Sequence, residues 1–301
     1  MPSAGSSSLA GLPDDLTLAL TRARLATGQS LFRRLPGGRT NRVWLMQGAE
    51  TDDVVVKLYA AQASNTLFPN DPAAELTVLE ALSPHRLAPE PFASGIVSTG
   101  SWLAYRHYPG PTWQAGVKAV ARLLGRVHAC AAPRGLRVVS GGSADLMRQG
   151  TELLAPLAAD PMARVLQSAK PQVSMPAAPA MCLIHGDPVP GNLVDGPDGL
   201  RLIDWQCPAW GDPAEDLLMF LSPTMQLLYC GRSLSIREQH DFLAAYPDQD
   251  MARRARLLQP LAHWRMACYC LNRLRNGATD YAAGLRAELA ALGVSDIGQH
   301  Q

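Results

Sequence analysis

The sequence predicts an α+β chain of two lobes: a small antiparallel sheet carrying one helix, then a larger and mainly helical lobe. Two observations carry this. Short apolar and β-branched runs separated by turn residues fill the first part, near 31–36, 42–48, 53–60, 91–97 and 101–107. Beyond Val117 the apolar residues mostly recur at helical spacing.

Taken in order, Met1 to Asp15 are rich in Ser, Ala and Gly and lack the basic and apolar regions of a signal peptide, so 1–15 read as a flexible N-terminus without a secretion signal. The first lobe is expected over 16–107. Leu35-Pro36-Gly37-Gly38-Arg39-Thr40-Asn41 reads as a glycine turn between two strands, where backbone amides can approach phosphates because glycine has no Cβ. Asp71 and Pro72 read as the cap and first position of a helix to Leu82. Tyr108-Pro109-Gly110-Pro111 is a hinge signal, giving a linker over 108–112 and a second lobe over 113–301. Helices are expected at Val117–Cys130 and near 144–169, 213–229, 235–246, 252–275 and 279–292, with Pro171–Pro179 as a connector.

Composition bounds the function. Lys+Arg number 27 against Asp+Glu 26, a net charge of +1, which gives no electrostatic footprint for nucleic acid. No apolar run reaches membrane-spanning length. Six scattered cysteines, with no CxxC pair, read as reduced thiols of a cytoplasmic protein.

The chemistry is concentrated in Leu183–Leu217. His185, Asp187 and Asn192 stand as H-x-D-x-x-x-x-N, and Asp204 follows in an Ile-Asp-Trp triplet. Phosphoryl transfer needs positioning and charge neutralisation more than covalent chemistry. Asp187 is placed to orient or deprotonate an acceptor hydroxyl. Asn192 and Asp204 offer hard oxygen ligands suited to Mg²⁺. Asp195-Gly196-Pro197-Asp198-Gly199 reads as the turn of a hairpin that carries Asn192 into one strand and ends near Asp204, bringing the two together. Upstream, Lys57 interrupts the apolar run Val54–Tyr59, and a buried lysine is costly unless paired. Its expected partners are a phosphate and a helix carboxylate, Glu75 ahead of Glu80. No GxxxxGK[ST] pattern occurs, so a P-loop fold is not supported.

From about Leu31 to about Gly293 the chain resembles the aminoglycoside phosphotransferase and choline kinase family, small-molecule relatives of the protein kinases. His185-Gly186-Asp187 and Asp204-Trp205-Gln206 stand where protein kinases read HRD and DFG, and no APE-type segment follows. Gly211-Asp212-Pro213-Ala214-Glu215-Asp216-Leu217 matches the family's GDPxxDL, and Leu124-Gly125-Arg126-Val127-His128 its LxxLH with valine for the second leucine. The resemblance implies a bilobal protein-kinase-like fold and an ATP- and Mg²⁺-dependent kinase. Gly37, Gly38, Thr40, Asn41, Lys57 and Glu75 would serve the nucleotide, whose adenine would lie beside Tyr105 to Tyr108. Asp216 and His185 would brace the catalytic loop, and His128 would be a packing residue.

The acceptor is expected to be a small, amine-bearing alcohol of choline, ethanolamine or thiamine type. Trp205, Trp210, Trp264 and Tyr269 could form a cation-π pocket, with Asp212 and Glu215 adding negative potential. The duller reading of the aromatics is core packing. An aminoglycoside or amino-sugar kinase is the alternative. A non-catalytic nucleotide-binding regulator is the alternative of another class, and the intact Lys57, Asp187, Asn192 and Asp204 argue against it. A protein kinase is disfavoured by the missing activation segment, and a two-metal hydrolase by the scarcity of further ligands.

Overall fold

The computed structural model describes residues 11–35, 40–48, 53–60 and 67–294. The chain forms two compact units, Met1–Pro111 with Arg201–Cys207, and Thr112–Leu200 with Pro208–Gln301.

In the first unit, helix α1 (Asp14–Arg22) precedes strands β1 (Leu31–Arg34), β2 (Arg42–Gln47) and β3 (Val54–Leu58), helix α2 (Pro72–Leu82), and strands β4 (Pro91–Val97) and β5 (Gly100–Arg106). The five strands form one antiparallel sheet in the order β1-β2-β3-β5-β4. Alternation along the strands sorts their side chains. Trp44, Met46, Val54, Val56, Leu58, Trp102 and Ala104 pack with Leu12, Leu16 and Leu20 of the α1 region in one core cluster. Lys57, registered against Val43 and Leu103, alternates with Val56 and Leu58 and so points away from that cluster. Helix α2 begins as expected: Asp71 accepts from the amides of Ala73 and Ala74, and Pro72 fills the first position, where its missing N–H is no loss.

The second unit is mainly helical. It runs through α3 (Val117–His128), β6 (Arg137–Val139), α4 (Gly142–Leu154), α5 (Pro161–Ser168), β7 (Cys182–Ile184) and β8 (Leu193–Gly196), which hairpins with β9 (Gly199–Leu202) as the chain passes into Arg201–Cys207. Then come β10 (Ala209–Gly211), α6 (Pro213–Leu221), α7 (Pro223–Cys230), α8 (Ile236–Ala245), α9 (Gln249–Arg275) and α10 (Tyr281–Ala291). Strand β10 lies between β6, parallel to it, and β7, antiparallel.

Several boundaries differ from expectation for local reasons. The helix expected near 144–169 is two, because Pro156 sits in the short turn Ala155–Leu157 and Asp160-Pro161 caps a new start. Likewise 213–229 divides where Ser222 caps and Pro223 begins α7. By contrast α9 runs unbroken through Pro260. Asn192 lies in a 3₁₀ turn, Pro190–Asn192, just ahead of β8 rather than inside it. All six cysteines are free. Among the described residues no helix is long and apolar enough to cross a membrane.

Candidate active site

The first unit buries a charged cluster. Lys57 is 1% exposed in a strand whose five residues are all buried. Its Nζ donates to Glu75 Oε2 at 2.5 Å and to Asp204 Oδ1. Burial works to strip the ammonium of its proton, but Asp204 and Glu75 outweigh it and hold the lysine above its ordinary value. Glu75 is fully used. Its Oε2 also accepts from the Tyr59 hydroxyl at 2.6 Å, and its Oε1 accepts from the Trp205 amide at 3.2 Å. Burial pushes the Glu75 carboxyl up and Lys57 opposes it. Glu80, the other candidate, is exposed.

Asp204 sits at φ 62°, left-handed backbone that a non-glycine residue rarely adopts. The residues after it tie the segment down. Gln206 Oε1 accepts from Asn41 Nδ2 at 2.6 Å, the Gln206 carbonyl accepts from the Asp71 amide, and Cys207 Sγ donates to the Pro69 carbonyl. These bonds are why Arg201–Cys207 belong with the first unit although they interrupt the second in sequence. Asn41, expected to serve nucleotide, is saturated internally: its Oδ1 accepts from Ala60 N and from Asn70 Nδ2. It braces the loop instead. Thr40 is half-buried, and Gly37 and Gly38 lie outside the described residues.

The second unit holds the candidate catalytic loop. The Asp216 carboxylate, at the start of α6, accepts from the backbone amides of His185 and Gly186, each at 2.8 Å. It also pairs with His128 Nε2 at 3.1 Å, whose Nδ1 meets the Tyr246 hydroxyl at 2.7 Å. Burial opposes the Asp216 charge, yet these hydrogen bonds and the two histidines hold the carboxyl below its ordinary range. Gly186 takes φ 80°, which lets the chain turn so that both amides face Asp216. Buried His185 accepts from the Asp187 amide through Nδ1 at 3.2 Å. Asn192 Nδ2 donates to the Asp187 carbonyl at 2.9 Å and to Asp187 Oδ2 at 3.2 Å. With its NH₂ spent on Asp187, Asn192 presents its amide oxygen, the atom a hard cation takes. Asn192 in the second unit and Asp204 in the first each carry the hard oxygen donor that Mg²⁺ takes.

A model of the phosphotransferase enzyme family, the group that includes aminoglycoside phosphotransferases, matches residues 32–264. The chain belongs to this family. It is a small-molecule kinase with the expected α+β, protein-kinase-like fold. Among solved structures, a choline/ethanolamine kinase family protein from Mesorhizobium loti is 16% identical with TM-score 0.61, covering 95% of this chain and 92% of its own. An ethanolamine kinase from Plasmodium vivax is 12% identical with TM-score 0.61, covering 94% and 91%. A macrolide 2'-phosphotransferase from Brachybacterium faecium is 22% identical with TM-score 0.58, covering 96% and 100%. At these identities the likeness speaks to fold. No curated protein matches the sequence.

In this phosphotransferase, most of the residues expected to form an amine pocket are engaged in packing or internal ion pairs. Trp205 belongs to the first unit, fully buried, with its indole N–H on the Leu202 carbonyl. Trp264 is buried in the second unit with its indole N–H on the Leu166 carbonyl at 2.7 Å. Both are packing side chains with their polar handle satisfied. Trp210 lies on β10 beside exposed Val138 and is itself partly exposed. Asp212 caps α6 and pairs with Arg254 at 2.8 Å, and Glu215 pairs with Arg265 at 2.8 Å. Their charges are thus neutralised inside the protein. Tyr269 is buried and meets Tyr281 edge-on, with ring centres 5.6 Å apart.

Sequence reasoning missed Tyr59, Gln206 and Tyr246, which position Glu75, Asn41 and His128. Tyr59 had a readable signal, two residues beyond Lys57 on the same strand face. Tyr246 had none, because 118 residues separate it from His128.

Proposed function

We propose that this kinase transfers the γ-phosphate of ATP, brought with Mg²⁺, to a hydroxyl of a small molecule. One observation carries the reading: Lys57 and Glu75, both buried, form an ion cluster with the partly exposed Asp204, two acids and one base, a set that accommodates a further cation and a polyphosphate. Lys57 contacts phosphate oxygens while Glu75 holds its Nζ. Asp204 and Asn192 would hold the metal. Mg²⁺ held there would offset the charge of the phosphates.

Asp187 takes the proton of the acceptor hydroxyl as its oxygen bonds to the γ-phosphorus and ADP leaves. Asn192 fixes the carboxylate that does this. Asp216 fixes the loop through two backbone amides, so its role is positional. The acceptor is a hydroxylated small molecule, and the amine-bearing alcohols remain within this reading.

ATP consumption measured against amino alcohols, thiamine and amino sugars tests the assignment. Asp187→Asn is expected to lower kcat by about a thousandfold, the middle of the range for a lost proton-transfer group, while calorimetry shows Mg·ATP binding retained. A variant with full turnover removes Asp187 from the role of base.

A further inference from the structure

The ion cluster of the first unit has an aromatic wall. Tyr59 follows Lys57 by two residues of extended chain and so faces the same side of the sheet. Its backbone is pinned. The Tyr59 amide donates to the Ser101 carbonyl at 2.9 Å, and the next amide, Ala60, donates to Asn41 Oδ1 at 3.0 Å. A Cβ on Gly100 would lie 2.7 Å from the Tyr59 carbonyl oxygen, so the neighbouring strand end leaves this backbone no room to shift.

From this fixed position the buried side chain makes two contacts with the ions. Its hydroxyl donates to Glu75 Oε2 at 2.6 Å, the same oxygen that accepts from Lys57 Nζ. Its ring centre lies 4.9 Å from Nζ, within reach of a cation–π contact. Burial and then Glu75 push the phenol well above its ordinary value, so it stays a donor. An ammonium has three N–H groups. Two meet carboxylates, and the Tyr59 ring covers another side. Side-chain exposure is 2% for Lys57 and 1% for Glu75 but 32% for Asp204, so the cluster opens to solvent beside Asp204. An anion arriving there pulls on the ammonium. Glu75 resists without turning because each of its oxygens is held by a group other than Lys57: Oε1 by the Trp205 amide and Oε2 by Tyr59.

We propose that Tyr59 is a positioning residue for the nucleotide: its hydroxyl fixes Glu75 and its ring backs the Lys57 ammonium, so that the ammonium meets phosphate at one place. This rests on the phosphotransfer reading above and adds a side chain to it.

The test compares the full chain with two variants, following Mg·ATP binding by calorimetry and adenosine binding by saturation-transfer NMR. Adenosine carries base and sugar without phosphate, so a misplaced lysine leaves its affinity alone, whereas a loosened lobe weakens both ligands. Tyr59→Phe keeps the ring and removes the hydroxyl, and Mg·ATP should bind about threefold more weakly, the lower part of the range for one hydrogen bond. Tyr59→Leu removes both contacts, and binding should fall about tenfold, a difference of about 1.4 kcal/mol. Adenosine should bind each variant as it binds the parent. Tyr59→Phe preserves the shape of the side chain and decides the matter even where Tyr59→Leu folds poorly. Parental Mg·ATP affinity in Tyr59→Phe overturns the proposal, and so does an equal loss for adenosine. A parent chain that binds no Mg·ATP removes the phosphotransfer reading itself. The expected loss of Mg·ATP affinity without phosphorylation of any acceptor keeps Tyr59 in its role and removes the transfer step alone.

Discussion

Asp216 shows how a single buried charge organises a loop around it. It accepts two backbone amides and a histidine, and it touches no solvent. Its folded-state value lies below the ordinary 3.8. A depressed carboxylate stabilises the fold above its unfolded value, and that contribution is lost as pH falls through the folded value. The window therefore lies below about pH 4, starting from the ordinary 3.8. Asp216→Asn should cost about 3 kcal/mol at neutral pH, as expected for breaking a buried charged network. The gap to the parent protein should close on acidification below that point. Urea unfolding at a series of pH values measures both effects, and a gap independent of pH would contradict the assignment.

At the scale of elements, helix α3 approaches the chain that follows α8 closely enough to demand glycine. A Cβ on Gly125 would lie 2.6 Å from Cγ and Cδ of Pro247. The proline ring cannot swing away, so Gly125→Ala should lose about 1–2 kcal/mol in spite of alanine's better helix propensity. Thermal or urea melting checks it; a more stable variant would show that the contact yields. Legibility of the fold also belongs here. The five strands and α2 could be read because their signals are local: alternation, turn residues, and Asp71-Pro72 as a start. Helix α1 could have been read from Leu12, Leu16 and Leu20 at four-residue spacing, but the Ser-rich residues before it masked the pattern. Strands β6, β7 and β10 are three residues each and owe their existence to partners far along the chain, so no local window reports them. The same division holds for the site. Asp187, Asn192 and Lys57 announce themselves by motif and by an odd lysine. Whether Trp205, Trp264, Asp212 and Glu215 face a ligand depends on Leu202, Leu166, Arg254 and Arg265, and those pairings are tertiary.

For the whole molecule, the discontinuous first unit matters most. Residues Arg201–Cys207 supply Asp204 to Lys57, a backbone amide to Glu75, and the Gln206 side chain to Asn41. A fragment ending at Pro111 would leave a strand-buried ammonium with one carboxylate in place of two, and would leave Asn41 without its Gln206 partner. Such a fragment should not fold cooperatively, giving a shallow urea transition and little dispersion in its amide NMR spectrum. A sharp transition would show that the sheet and α1 suffice.

With Lys57 in the role proposed for it, its burial has a consequence for nucleotide recognition. Its ammonium sheds water when the chain folds, in the company of two anions, rather than when ligand arrives. A phosphate that reaches it meets a dry cation and takes a place beside ligands already there. The dehydration that weakens contacts to surface lysines is complete before the encounter, so the enthalpy of that contact is opposed by little fresh reorganisation.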